Sequence, residues 1–196
     1  MPVKTYEFQP VRAWRGPGVG SYTRSMSLQE LIPVAQEHWH PLIVHFPIAL
    51  WTLGTLAYLA SLTPYFYWLR TSSLVMGALG TGAGWAAAKT GEIAANSVAS
   101  SLCNKALLAE HAEHAETTLI VFSVTWGVLV LLEVLRGRFA PDRELPVLLR
   151  ALISAGLLFG SVYLVSTGHK GFRLVFEEGA GVRASNTGCV SETGAR

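Results

Sequence analysis

Charge is scarce in this chain. Of its 196 residues only 14% are Asp, Glu, Lys or Arg, against roughly 25% in soluble domains, while 51% are hydrophobic and the mean hydropathy is +0.37. That balance excludes an ordinary soluble domain and points to an integral membrane protein. A net charge of +2 is too small to argue for a nucleic-acid partner. Cysteine is nearly missing too. Cys103 and Cys189 form neither a CxxC nor a CxxCH pattern, which argues against a redox dithiol and a covalently attached haem and leaves a disulfide between them open. The N-terminus lacks the short apolar core and small-residue cleavage site of a signal peptide, so the first span is expected to direct insertion itself. There is no serine–histidine–acid pattern and no phosphate-binding glycine loop.

What is present is organised around HWHPLIVHFPIAL, from His38 to Leu50, where three histidines and two prolines open a long apolar run. Four spans are expected, over about Pro41 to Ser61, Thr71 to Ala88, a point after Glu110 through Leu135, and Pro146 to Thr167. At about 1.5 Å per residue these approach the ~30 Å of a bilayer core. The fold class is therefore an all-α integral membrane protein, a four-helix transmembrane bundle over residues 38–168. An irregular arm over 1–37 precedes it, with a short helix from Ser27 to Ile32 started by a Ser27–Glu30 capping box. A tail over 169–196 follows as a lid, with Phe172, Leu174 and Phe176 pointing inward from a short strand.

Arg70, Arg136, Arg138 and Arg143 lie in the connections after spans one and three, with Arg150 just inside span four. By the positive-inside rule that end is cytoplasmic, both termini are periplasmic, and both cysteines face outward. Arg150 is expected to pair with Glu133. Trp39, Trp51, Trp68 and Trp85 read first as interfacial anchors.

All six histidines fall at the other end. His111 and His114 are three apart, on one helical stripe with Leu107 and Thr118, and His45 lies about five residues into span one. Neutral imidazoles on facing helices can clamp a haem iron, and helix bundles build cofactor sites in this way. His45 and His114 are the first choice of axial ligands, with His40 and His111 as further candidates. Gly77, Gly80 and Gly84 on one face of span two would leave room for the flat macrocycle, although small residues at that spacing also serve close helix packing. The cofactor read here is a non-covalent haem b. Two alternatives stand beside it: His plus Glu as ligands for zinc, copper or non-haem iron, and histidines that only cap helices in a cofactor-free accessory subunit.

HPLIVHFPIAL from His40 to Leu50, and STGHKGFRLVFEEGAGV from Ser166 to Val182, resemble the opening and closing motifs of the bacterial membrane-protein family called domain of unknown function 2231. The resemblance implies four spans in the bacterial inner membrane and association with electron-transfer systems. It implies as partners other membrane or periplasmic electron-transfer proteins, with quinone as a further candidate. His169 within the closing motif and the long N-terminal arm depart from the family pattern.

Overall fold

The computed structural model describes residues 39–100, 102–140 and 143–181. Among them there are helices and no strand. A short helix α1 (Trp39–Ile43) leads into α2 (His45–Ser61), a single 3-10 turn (Pro64–Phe66) follows, and then come α3 (Leu69–Val98), α4 (Lys105–Phe139) and α5 (Val147–Phe176). The break at Val44 has a local cause. Pro47 has no N–H to offer the Ile43 carbonyl four residues back. The chain keeps its course across the break through Val44 N–H to His40 O at 3.0 Å and Ile48 N–H to Val44 O at 3.3 Å.

The long helices run up and down around one core. α2 packs chiefly on α3 and α4 chiefly on α5, with α3 against α4 and α2 against α5 closing the ring. Among the described residues three stretches are long and apolar enough to cross a membrane: Trp39–Ser61, Lys105–Phe139 and Val147–Phe176. α3 has the length, at 30 residues, but Arg70, Lys89, Glu92 and its glycines and hydroxyls dilute its hydropathy. The helices exceed the expected bounds, because the amphipathic turns outside the apolar runs stay helical. Of the expected connection from Lys89 to Glu116, only the stretch between Val98 and Lys105 lies outside a helix.

The tail corrects the expected strand. α5 continues through Phe176, so Leu174 is buried while Phe172 and Phe176 are exposed and stack on each other at 4.3 Å. These two aromatics are four apart, as are Arg173 and Glu177, whose ion pair is 2.9 Å, so the segment satisfies a helical period. The helix ends where Gly179 takes φ 71° and the Ala180 N–H reaches back to Leu174 O at 2.9 Å, a left-handed glycine closing the last turn. Leu174 then packs with Leu102 and Leu107 in a small cluster over the histidine end. The arm over 1–37, with its expected Ser27 helix, lies outside the described residues.

The core is aromatic. Trp51, Tyr58, Phe122 and Trp126 are all buried, with Leu129, Ile153 and Leu157 around them. Trp51, expected at an interface, is only 3% exposed, whereas Trp39, Trp68 and Trp85 are exposed. The glycines of α3 make its burial possible. A Cβ on Gly80 would stand 2.8 Å from Trp51, one on Gly84 2.5 Å from Trp51, and one on Gly77 2.2 Å from Trp126. The space beside Gly77, Gly80 and Gly84 is thus taken by indole rings.

The two halves repeat each other. His40 and Trp51 of the first become His111 and Phe122 of the second on adding 71 to the residue number. Gly80, Ala87 and Gly91 become Gly160, Thr167 and Gly171 on adding 80. The contacts follow the numbering: Gly80 faces Trp51 as Gly160 faces Phe122, and Gly91 faces His40 as Gly171 faces His111. The hairpins α2–α3 and α4–α5 are therefore parallel copies of one packing scheme. In membrane proteins such copies are related by an axis along the bilayer normal.

Candidate functional site

The repeat assembles its histidines at one end of the bundle. His40 Nδ1 lies 2.9 Å from the Ala87 carbonyl on α3, and His111 Nδ1 lies 3.1 Å from the Thr167 carbonyl on α5. A carbonyl only accepts, so Nδ1 must be the donor in both. In the neutral ring that fixes the tautomer and leaves each Nε2 with its lone pair, as a metal-binding imidazole requires.

Each ring is seated on a glycine one turn beyond its carbonyl partner. At Gly91 a Cβ would come 2.9 Å from His40 Cε1, and at Gly171 one would come 3.2 Å from His111 Cε1. The two hairpins thus hold their equivalent histidines at the same end of the bundle, each against the second helix of its own hairpin.

The remaining histidines are placed differently. His114 donates Nδ1–H to Glu110 O of its own helix at 2.9 Å, and its ring lies 5.5 Å from that of Tyr163. The stripe of Leu107, His111, His114 and Thr118 does face inward, with Leu107 and Thr118 buried and both histidines partly so. Thr118 ties α4 to α5 through its contact with Thr167 Oγ1 at 3.1 Å. His45, by contrast, is exposed, as is His169. Pro47 on the neighbouring face of α2 turns inward in its place. His38 lies outside the described residues.

The rim of this end is tied to the tail. Lys170 meets Glu110 at 2.5 Å. Asn104 caps α4 by accepting from the Leu107 N–H at 3.1 Å, and its own N–H donates to Glu178 at 3.1 Å. Cys103 is disulfide-bonded, and the sequence contains one other cysteine, Cys189.

At the opposite end the expected Arg150–Glu133 pair is replaced by other partners. Arg150 binds Glu144 at 2.9 Å, while Glu133 accepts from Arg70 through Nε, at 2.7 Å, and Nη2, and from Arg136 Nε at 2.9 Å. Arg70 opens α3 directly beside the last turns of α4. Arg150, one helix further on, meets the exposed loop carboxylate first.

Gly91, Gly171, Ala87 and Thr167 were not among the expected site residues. Their signal was internal: His40 to Trp51, His111 to Phe122, Gly80 to Gly91 and Gly160 to Gly171 are all spaced by 11, which is close to three helical turns. Aligning the chain on itself reveals them.

No curated protein and no solved structure matches this chain. The model of the predicted membrane-protein family DUF2231 matches residues 37–184, a stretch that holds both hairpins and every histidine of the site, and the chain belongs to that family.

Proposed function

We propose that the protein is an electron-transfer subunit of the bacterial inner membrane, holding a haem b non-covalently at the histidine end through His40 and His111. The observation that carries this reading is the pair of equivalent imidazoles, each tied by Nδ1 to a carbonyl of the neighbouring helix and each with Nε2 uncommitted. His45 and His114, the first choice from sequence, give way to them in this reading: His45 is exposed, and the position equivalent to His114 in the first hairpin is Ile43, so His114 has no matching partner.

A haem asks little of the protein beyond two axial ligands, since the porphyrin supplies the other four. A zinc site asks for three or four. Among the described residues no group of three His, Cys, Asp or Glu side chains is close enough to hold a metal, which favours haem over the other metals. The cofactor would supply one-electron chemistry. The chain's own part is to hold both imidazoles in one tautomer and to keep the rings upright on Gly91 and Gly171.

In this reading α3 is the fourth span, with Arg70, Ser73, Gly77, Gly80, Gly84 and Ala87 turned to the bundle. The arginines at one end and the disulfide at Cys103 support the histidine end as periplasmic, by the positive-inside rule and by the confinement of stable disulfides to oxidising compartments. Electrons would pass between a membrane donor, quinone included, and a periplasmic acceptor.

A second reading, a cofactor-free accessory subunit, is favoured by one observation: indoles fill the space beside Gly77, Gly80 and Gly84. The two are separated by an oxidised-minus-reduced visible spectrum and a pyridine haemochrome assay on detergent-purified protein. A b-type spectrum that is lost in His40→Ala and His111→Ala and retained in His45→Ala is the expected result. Folded but colourless protein overturns it and leaves the accessory role, for which deletion of residues 1–37 should abolish co-purification of partners.

A further inference from the structure

Four enclosed polar atoms of the core have no hydrogen-bond partner among the described residues: Thr55 Oγ1 and Tyr58 Oη on α2, and Ser123 Oγ and Trp126 Nε1 on α4. Their neighbours are satisfied. Ser61 Oγ donates to Tyr58 O at 2.6 Å, Ser73 Oγ to Arg70 O at 2.7 Å, and Trp51 Nε1 to Thr81 Oγ1 at 3.5 Å. A buried donor or acceptor without a partner is costly, most of all inside a membrane, where bulk solvent does not reach it.

The repeat gathers the four atoms. Trp51 and Phe122 stack across the bundle at positions 71 apart, and one turn further along each helix the same offset matches Thr55 with Trp126. Trp126 reaches α2 at that level, since a Cβ on Gly54 would stand 3.2 Å from Cζ2, a ring carbon two bonds from Nε1. Tyr58 follows Thr55 by three residues and Ser123 precedes Trp126 by three, which keeps each pair on one helical stripe. Tyr58 and Trp126 belong to the same buried cluster as the stack. Leu74 packs against that cluster, and it also lines a recess of about 350 Å³ at the arginine end, together with Thr71, Arg70 and Glu133.

We propose that the core binds water: a short file of ordered molecules that runs from the recess past Leu74 to Thr55 and Trp126 and stops at the Trp51–Phe122 stack. Buried waters make about three hydrogen bonds each to polar groups that the protein leaves unpaired. Two aliphatic hydroxyls, a phenol and an indole N–H supply both donors and acceptors for them. The file gives the Tyr58 hydroxyl, inside the span, proton exchange with the face that carries Arg70 and Glu133, and with that face alone. It is a one-sided proton well, of the kind that polar groups within spans mark, and it is independent of any haem.

Nuclear magnetic resonance of the full chain in lipid nanodiscs, with nitrogen-15 in its tryptophans, tests this. The Trp126 indole N–H should show a cross-peak to water and be lost in D2O, while that of Trp51, equally enclosed but bonded to Thr81, is retained. Thr55→Val keeps the side-chain shape and removes one partner of the water. It should weaken the Trp126 cross-peak and lower the unfolding midpoint, whereas in a dry core the loss of an unpaired hydroxyl would raise that midpoint. Should Thr55→Val fail to fold, Ser123→Ala makes the same comparison. Thr71→Trp, at an exposed position on the recess wall, should slow the loss of the Trp126 signal in D2O. A Trp126 N–H with no water cross-peak and retained like that of Trp51, or a raised midpoint in Thr55→Val, overturns the water file. Unchanged exchange in Thr71→Trp overturns the arginine end as its source.

Discussion

Trp51 and Phe122 lie stacked, ring centroids 4.5 Å apart and planes 13° from parallel, at equivalent positions of the two hairpins. They are where α2 meets α4 across the bundle, and both are buried against glycines of the neighbouring helix. In an apolar solvent helices gain little from hydrophobic burial, so such close contacts carry much of the packing. Phe122→Ala removes one ring of the stack and is expected to cost about 3–5 kcal/mol. Thermal unfolding in detergent followed by circular dichroism checks this, and a shift no larger than that of an exposed control such as Val124→Ala would refute it.

The glycines of α3 are not interchangeable. A methyl group on Gly77 would stand 2.2 Å from the Trp126 ring, whereas one on Gly82 meets nothing within 4 Å. Gly77→Ala should therefore destabilise by about 1–3 kcal/mol through overpacking. Gly82→Ala should be neutral or stabilise by up to about 1 kcal/mol through helix propensity. The same unfolding assay decides, and equal effects would show that the indole does not sit where the structure has it.

The buried Arg70–Glu133 pair makes a sharper case. Glu133→Gln leaves two guanidiniums without their shared carboxylate and is expected to lower stability by about 3–5 kcal/mol, as is typical of breaking a buried pair from one side. The double replacement Arg70→Met with Glu133→Leu should cost less than either single change, because no buried charge is stranded. A double-mutant cycle measures the difference. Simple additivity would mean that the two groups do not interact.

Gly91 and Gly171 offer a test of the histidine seats that leaves the histidines in place. Gly91→Val should push the His40 ring off Ala87 O, and Gly171→Val should do the same for His111 and Thr167 O. The loss of one hydrogen bond, about 1 kcal/mol, accompanies a shift in the imidazole resonances that nuclear magnetic resonance of labelled histidine reports. Matching shifts in the two variants are expected from the repeat. A shift in only one would show that the two seats are not equivalent.

Reduction of the disulfide at Cys103 should loosen the cover over the histidine end. Disulfides typically contribute about 2–4 kcal/mol, so Cys103→Ser and dithiothreitol should lower the unfolding midpoint alike. An unchanged midpoint would mean that the bond constrains nothing the fold needs.

Much of the bundle was legible in the sequence because its signals are local. Apolar runs fix the existence of α2, α4 and α5, and Pro47 announces the break beside His45. Helix ends were less legible, since Glu92, Lys105 and Glu110 look like loop residues until the helical surface that carries them is seen. Alternation of Phe172, Leu174 and Phe176 imitates a strand, and only the contact of Leu174 with Leu102 and Leu107 shows that its neighbours point elsewhere. At the site, depth along the chain favoured His45, but depth says nothing about azimuth. Rotation about the helix axis turns His45 outward and Pro47 inward. Glu133 had three arginines within plausible range, and which of them it pairs with depends on how the hairpins come together.

The seat of Trp126 beside Gly77 also sets an order of events during synthesis. Gly77 belongs to the first hairpin, and Trp126 follows it by 49 positions, roughly 2–10 s of translation at about 5–20 residues per second. For that interval the first hairpin stands in the bilayer with an indole-sized slot open on its flank, and the second hairpin completes the protein by filling it. Chains arrested before Trp126 should therefore leave a cysteine placed at Met76 open to a membrane-soluble thiol reagent, and chains extended beyond it should not.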